Sequence, residues 1–571
     1  MKEKRWHIKS RGDNTLVNRL MSDLNVNDII ANLLVQRGIY DFNSAKDFFR
    51  PNLSNLHDPF LMRDMDKAVN RLEQAFINRE KIMILGDYDV DGTTAVSLVY
   101  GFLSKYLAKE YITYYIPNRY TEGYGISYQA IDFAAENHYS LIIALDCGIK
   151  AIDKIDYANN KRIDFIICDH HRPGDELPKA VAILDPKRKD CEYPYKDLSG
   201  CGVGFKLLTA WCIKNNIALN ELYNYLDLVA VSIAADIVPI KDENRILTHF
   251  GLQKLNSNPS KGLKAIIELT KLKRQLSVSD IVFTVGPRIN AAGRLETGTK
   301  AVELLLANDD ELATNAGIAI QKTNYERQTL DKSITEEAFR MIENNGWHNR
   351  KSTVLFNPQW HKGVIGIVAS RLTDKYYRPT IMLTESNGLV AGSARSVKNF
   401  DVYEAIENCS DLLIQFGGHK YAAGLTLERK NVDAFIERFE QVVSKTISDE
   451  LLIPEIEIDY ELNFSDITPK FIRIIKQFAP FGPENLSPIF VTNEVKTLGY
   501  PKQLGENHLR FEVYQPNNPT LIFSAIAFNL IDKMPIVNSP LPYSICYSIE
   551  ENEWNGTKTI QLNIKDIKAL N

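Results

Sequence analysis

The sequence has no apolar run approaching the ~20 residues of a membrane-spanning helix, which excludes a helical integral membrane protein. Its first residues, MKEKRWHIKSRGDN, are basic but have no apolar segment behind them, so a secretory signal is not expected. Cysteine is sparse and unpatterned: Cys147, Cys168, Cys191, Cys201, Cys212, Cys409 and Cys546 form no C-x-x-C pair. This argues against a thiolate metal cluster or a disulfide framework and fits free thiols in a reducing cytoplasm. Internal repeats and low-complexity segments are absent, and so is a large excess of one charge. The net charge of −5 neither demands nor forbids a nucleic-acid partner, because a basic groove can coexist with an acidic metal site.

What is present is a soluble globular composition, 44% hydrophobic and 24% charged over 571 residues, long enough for three or four domains. Residues 1–80 read as a helical lead-in. From residue 81 short apolar runs (KIMIL, YITYYIP, SLIIALD, IDFIICD, AVAILD) alternate with stretches of helical length. Runs without alternation, spaced by helices, predict a parallel sheet covered on both faces. Residues 300–346 contain no proline and predict one or two long connecting helices. A second α/β segment follows over 347–450. From 451 to 571 the pattern changes to short alternating strands, which predict a small barrel of OB-like type.

The chemistry concentrates where the apolar runs end. ILGDYDVDG places Asp87, Asp89 and Asp91 directly after the first run, LIIALDCG ends on Asp146, and FIICDHH ends on Asp169, His170 and His171. Asp236 follows the apolar stretch LVAVSIAAD. In an open parallel sheet, groups at the carboxyl ends of neighbouring strands converge on one crevice. Carboxylates gathered so closely require cations between them. Oxygen ligands with one or two imidazoles suit Mn²⁺ or Mg²⁺. The number of ligands predicts two such ions ~3.5–4 Å apart, an arrangement suited to phosphoryl hydrolysis. Phosphate-binding groups are legible separately. Arg119 lies in the glycine-bearing IPNRYTEGYG, Arg288, Asn290 and Arg294 in GPRINAAGR, and Ser393 and Arg395 in GSARS.

In this order GDYDVDG, DCG, DHH and AADIVP resemble the motifs of the DHH phosphoesterases. GCGVGFKL, GPRINAAGRLETGTKAVELLL, WHKGVIGIVASRL, GSARSV, FGGHKYAAGLTL and APFGPENLSPIF extend the likeness over almost the whole chain, toward the single-strand-specific exonucleases of that family. The resemblance implies a DHH catalytic domain over 81–299, a DHH-associated domain over 347–450 and a nucleic-acid-binding barrel over 451–571. It implies metal ligation by Asp89, Asp91, Asp146, His170 and Asp236. Asp87 would be a further ligand or a group supporting the ligands. Leu85 stands where some relatives carry a ligating histidine. His171, with Asp169 and Arg294, would serve the scissile phosphate, and Arg119, Ser393 and Arg395 the terminal 5′ phosphate. His419 would either contact nucleic acid or order its glycine loop.

The activity so implied is 5′→3′ hydrolysis of single-stranded DNA to mononucleotides in repair and recombination, with single-strand selectivity set by a narrow tunnel. The expected protein is a cytoplasmic monomer with two divalent cations, acting beside a single-stranded-DNA-binding protein and a helicase. Two rivals remain open: a family member hydrolysing short oligoribonucleotides or cyclic dinucleotides, and a non-catalytic DNA-binding scaffold.

Overall fold

The computed structural model describes residues 3–554 and 557–570. The chain divides into two compact units, Arg50–Gln328 with Pro480–Leu486, and Met1–Phe49 with Thr329–Ala479 and Ser487–Asn571.

The first unit is built on a five-stranded, wholly parallel sheet. Its order is Ile112–Tyr115, Lys81–Gly86, Tyr139–Leu145, Asp164–Cys168, Ala182–Leu184. Successive residues of these strands feed opposite faces, and both faces are buried. Ile82, Ile84, Leu141 and Ile143 enter one core with helices Val90–Leu103 and Gly200–Lys214. Met83, Leu85, Ile142 and Ala144 enter the other with Ala130, Ile131 and Ile155. The apolar stretch before Asp236 is a buried helix, Leu226–Ala235, rather than a further strand. Helical and strand interiors share an all-apolar composition when no face meets water, and this stretch has no polar face to reveal its period.

The second unit holds a mixed five-stranded sheet ordered Gln415–His419, Ala422–Leu427, Leu389–Arg395, Thr380–Ser386, Thr353–Phe356. Only its last pair is parallel. Phe435 and Phe439 of helix Val432–Thr446 pack in one core with Ala394, Ala423 and Leu425.

The C-terminal strands Phe490–Leu504, His508–Gln515, Asn518–Ala527, Tyr543–Trp554 and Thr557–Ala569 close into a barrel. The first strand pairs with the fourth to seal it. One pairing, Asn518–Ala527 with Thr557–Ala569, is parallel, and the others in the barrel are antiparallel.

Residues 1–49 depart from the expected lead-in over 1–80. Arg5–Ile8 is a strand paired in parallel with Glu455–Ile458, and Phe48 and Phe49 meet Phe478 edge-on at 5.3 and 5.4 Å. These residues fold within the second unit, and the first unit begins at Arg50. The long helix Asp310–Asn344, preceded by Thr299–Leu305, occupies the connecting segment. No helix among the described residues is long and apolar enough to cross a membrane. All seven cysteines are unpaired and buried.

Candidate metal centre

The motifs of Asp87, Asp146 and Asp169 each leave their strand at the same edge of the parallel sheet. Asp87 follows Lys81–Gly86 and is fully buried, and Asp89 caps the next helix by accepting the Gly92 amide at 3.0 Å. Beyond the third strand the ladder continues by one bond, the Asp146 amide to the Cys168 carbonyl at 2.9 Å, which sets Asp146 beside the DHH turn. Asp146 adopts φ 58°, a left-handed conformation that aspartate tolerates better than most side chains. Asp236 sits at the C-cap of its helix, followed by Ile237 at φ 59°. A β-branched residue there is strained, as residues beside functional groups often are.

The side chains converge on His170. Its Nε2 lies 3.2 Å from Asp146 Oδ1, 3.5 Å from Asp236 Oδ2 and 3.7 Å from Asp91 Oδ2. Two ligand groups result, Asp91–His170–Asp236 and Asp146–His170–His171, each with its ligating atoms within 4.8 Å of one another. Asp87 and Asp89 belong to neither group. Their charges are nonetheless felt, because burial first and then mutual repulsion hold Asp87, Asp89, Asp146 and Asp236 above the usual carboxylate range. Asp146 Oδ1, Asp87 Oδ1 and both ring nitrogens of His170 are buried without a hydrogen-bond partner. Orphaned acceptors amid mutually repelling carboxylates fit divalent cations bound by oxygen and imidazole.

The two histidines have opposite electrostatic environments. Burial drives His170 down to about 4, leaving it neutral with one ring nitrogen able to bind a cation. His171 is also lowered by burial, but the hydrogen bond and charge of Asp169 outweigh this and raise it to about 9. Asp169 Oδ1 accepts the His171 Nδ1–H at 2.8 Å and the amides of His170 and His171 at 2.8 and 3.1 Å, and its Oδ2 accepts the Ile149 amide at 2.9 Å. Burial opposes ionisation of Asp169, yet these donors bring it down to about 2. Asp169 thus fixes the His171 ring through Nδ1 and leaves the Nε2 side of that ring uncommitted to it.

The phosphate-binding candidates fall into two sets. In the first unit, the Arg119 guanidinium stacks over the Tyr88 ring at 4.9 Å, beside Asp87. GPRINAAGR forms a helix, Gly286–Leu295. One turn separates Asn290 from Arg294, so they share a face. At Gly293 a Cβ would stand 2.3 Å from the Tyr88 carbonyl, so the glycine lets this helix approach the metal loop. Arg288 lies on another face, where its Nε bonds Gln321 at 2.7 Å and its Nη1 the Thr284 carbonyl at 2.6 Å, committing two of its donors to structure.

In the second unit, Arg395 Nη1 donates to Ser393 Oγ at 3.2 Å. Register places Arg395, Ala422 and His419 in one row, and Ser393, Gly424 and Gly417 in the next, all on one sheet face. A Cβ at Gly366 would lie 2.9 Å from Ser393 Oγ, so the first turns of helix Lys362–Tyr376 approach both polar groups.

Several site residues were not singled out from sequence. The Tyr124 hydroxyl donates to the Asp146 carbonyl at 3.0 Å and stands 3.4 Å from His171 Nε2. Asp185, at the end of the fifth strand, is buried with an unpartnered Oδ2 and is pushed up by burial to about 7. AVAILD shows the same pattern as LIIALD, so its signal was present. Ser199 and Ser232, adjoining Asp91, carry no sequence signal of their own.

A parallel sheet delivering carboxylates and a histidine pair to one cation-ready edge defines a metal-dependent phosphoesterase of the DHH type. The model of the DHH family N-terminal domain matches residues 81–233, that of the DHHA1 domain 349–445, and that of the RecJ OB domain 458–566. The single-stranded-DNA-specific exonuclease RecJ of Bacillus subtilis is 37% identical over 569 residues, covering 98% of this chain and 70% of that protein. The same-named protein of Escherichia coli is 32% identical, covering 88% and 90%. The crystal structure of RecJ in complex with Mn²⁺ from Thermus thermophilus superimposes with a TM-score of 0.84 at 26% identity, over 99% of this chain and 80% of that one. This chain belongs to the RecJ family.

Proposed function

We propose that this protein is a divalent-cation-dependent exonuclease that degrades single-stranded DNA from its 5′ end to mononucleotides, in DNA repair and recombination. The observation that carries the reading is a neutral His170, without a hydrogen-bond partner, on which the carboxylates of Asp91, Asp146 and Asp236 converge. RecJ structures with Mn²⁺ and with Mg²⁺ that resemble this chain support those ions as cofactors. Asp91, His170 and Asp236 would hold one cation, and Asp146 with Asp89 would supply carboxylates for a second, with Asp87 adding charge. Such cations supply a nucleophilic water at neutral pH and neutralise the phosphate oxygens.

The chain's own residues do the rest. His171, protonated and fixed by Asp169, offers Nε2–H to a phosphate oxygen where charge develops. Asn290 and Arg294 present one helical face to the strand. Arg395 and Ser393, beside the N-terminal turns of helix Lys362–Tyr376, form a cradle for a terminal phosphate. A monoester carries more charge than an internal diester, which favours a 5′ end. This cradle is the proposed 5′-phosphate pocket, and His419 extends its face. The barrel would hold the following strand by stacking and backbone charge. The expected setting is a cytoplasmic monomer working with a single-stranded-DNA-binding protein and a helicase.

The test is product analysis on 5′- and 3′-labelled DNA and RNA oligomers with Mn²⁺ or EDTA. Metal-dependent release of labelled mononucleotide from the 5′ end of DNA is expected. Preference for RNA dimers would favour the oligoribonucleotide reading, and binding without cleavage the scaffold.

A further inference from the structure

Asp91 differs from the other carboxylates of the centre. Asp87, Asp146 and Asp236 are short of donors, whereas Asp91 is held by three. Its Oδ2 accepts the Gly200 amide at 2.7 Å, and its Oδ1 accepts the Cys201 amide at 2.8 Å and the Ser232 hydroxyl at 2.6 Å. The two amides are the first of helix Gly200–Lys214, whose N-cap is Ser199. Ser232 belongs to helix Leu226–Ala235, which ends in Asp236.

Proton inventory gives this cluster a direction. The Ser232 Oγ lies 2.6 Å from both Asp91 Oδ1 and Ser199 Oγ. A serine has one proton, and an ionised carboxylate only accepts. Ser232 therefore gives its proton to Asp91, and the contact between the hydroxyls carries the proton of Ser199. Ser199 in turn accepts the Gly202 amide at 3.1 Å. The chain of donors runs from Gly202 through Ser199 and Ser232 to Asp91, each bond polarising the next. All four residues are buried.

With two donors on Oδ1, its acceptor capacity is filled. Oδ2 has one donor and faces His170 Nε2 at 3.7 Å. We propose that Ser232, backed by Ser199, is a positioning residue that fills Oδ1 of Asp91 and so confines its metal bond to one direction, through Oδ2 alone. Asp91 becomes the fixed reference of the centre, and the less supported Asp146 and Asp236 adjust to the ions. Because Ser232 lies four residues before Asp236 on one helix, the same contact sets the spacing between two ligands. Supporting bonds of this kind typically change metal affinity ~10–100-fold.

The inference rests on the proposed two-cation site, and its test separates the two. Mn²⁺ binding to the full chain without DNA is followed by the electron paramagnetic resonance of free Mn²⁺, for wild type, Ser232→Ala, Ser232→Thr and Ser199→Ala. Single-stranded DNA affinity is measured in EDTA. Absence of Mn²⁺ binding by wild type would overturn the metal site itself and the inference with it. If wild type binds, Ser232→Ala is expected to lose ~10–100-fold in Mn²⁺ affinity, with DNA affinity in EDTA unchanged. Ser199→Ala should lose less, and Ser232→Thr should recover most of the affinity because it keeps the hydroxyl. Unchanged Mn²⁺ affinity in Ser232→Ala overturns the positioning role. If Ser232→Ala does not fold, the Ser199→Ala result decides, since that variant leaves the Asp91 contact in place and breaks only the relay. Wild-type Mn²⁺ affinity in Ser199→Ala then counts against the proposal.

Discussion

Adding one methyl group at Gly200 should disable the metal centre while leaving the protein folded. An ideal Cβ on Gly200 would lie 2.6 Å from Asp146 Cβ and 2.8 Å from its Cα and Oδ1. Carbon contacts relax at ~3.5–4.0 Å, so the Asp146 segment or the helix must yield by about 1 Å. Part of the obstruction is backbone, and no rotamer change relieves it. A displacement of ~1 Å at a catalytic group costs ~10²-fold in rate, or about 2.7 kcal/mol of barrier. Stability should change less, because ~1–3 kcal/mol of overpacking is offset by the ~1 kcal/mol advantage of alanine over glycine in a helix.

Gly202, two residues on, is the matched control. Its Cβ would meet Ser199 Oγ at 3.4 Å and Leu198 Cβ at 3.5 Å, ordinary contacts. Initial rates on a 5′-labelled single strand at saturating Mn²⁺, with thermal unfolding in EDTA, should show Gly200→Ala slowed ~100-fold. Gly202→Ala should match wild type. Equal rates for Gly200→Ala and wild type, or equal losses in both variants, would refute the packing argument.

Exchanging the histidines for alanine should separate their roles. His170→Ala should weaken Mn²⁺ binding first, whereas His171→Ala should lower turnover with Mn²⁺ affinity little changed; a reversed order in the titrations would exchange the assignments. In EDTA the His171 imidazole should titrate near 9 by NMR. Since 9 exceeds its ordinary 6.5, its stabilising contribution is complete below 6.5 and is lost as pH rises through 9. Asp169→Asn should move that loss toward neutral pH, and an unshifted resonance would contradict the ion pair. Removing the 5′ phosphate from a DNA oligomer should slow wild type, and Arg395→Ala should erase most of that difference. Arg395→Lys should restore it only in part, because an ammonium lacks the guanidinium fork. Equal wild-type rates on both ends at fixed salt would remove the pocket.

Much of the centre was legible because strand ends in a parallel sheet are marked twice, by an uninterrupted apolar run and by the polar group that stops it. Asp87, Asp146 and Asp169 are all found this way. Asp236 was found for its charge, but its helix was not, since a buried helix and a buried strand look alike without a polar face. The small residues of GPRINAAGR signalled a close approach but not that a helix makes it, since glycines and alanines permit close approach by helix and loop alike. Residues 1–49 join the second unit through the pairing of Arg5–Ile8 with Glu455–Ile458, a contact between distant segments that no local pattern encodes. Ser232, in an apolar helix, and Ser199, at the N-cap of another, were invisible for a related reason, as each gains meaning only when the chain folds them against Asp91 and each other.

The central claim is that this edge of the sheet holds two divalent cations through His170 and its flanking aspartates. Equilibrium Mn²⁺ binding to the purified full chain tests it most directly, with Asp146→Asn as the partner variant because asparagine accepts the left-handed backbone at that position. Two bound Mn²⁺ per wild-type chain, with at least one lost or greatly weakened in Asp146→Asn, is the predicted result. No Mn²⁺ bound by wild type, or the same binding in both proteins, would contradict it.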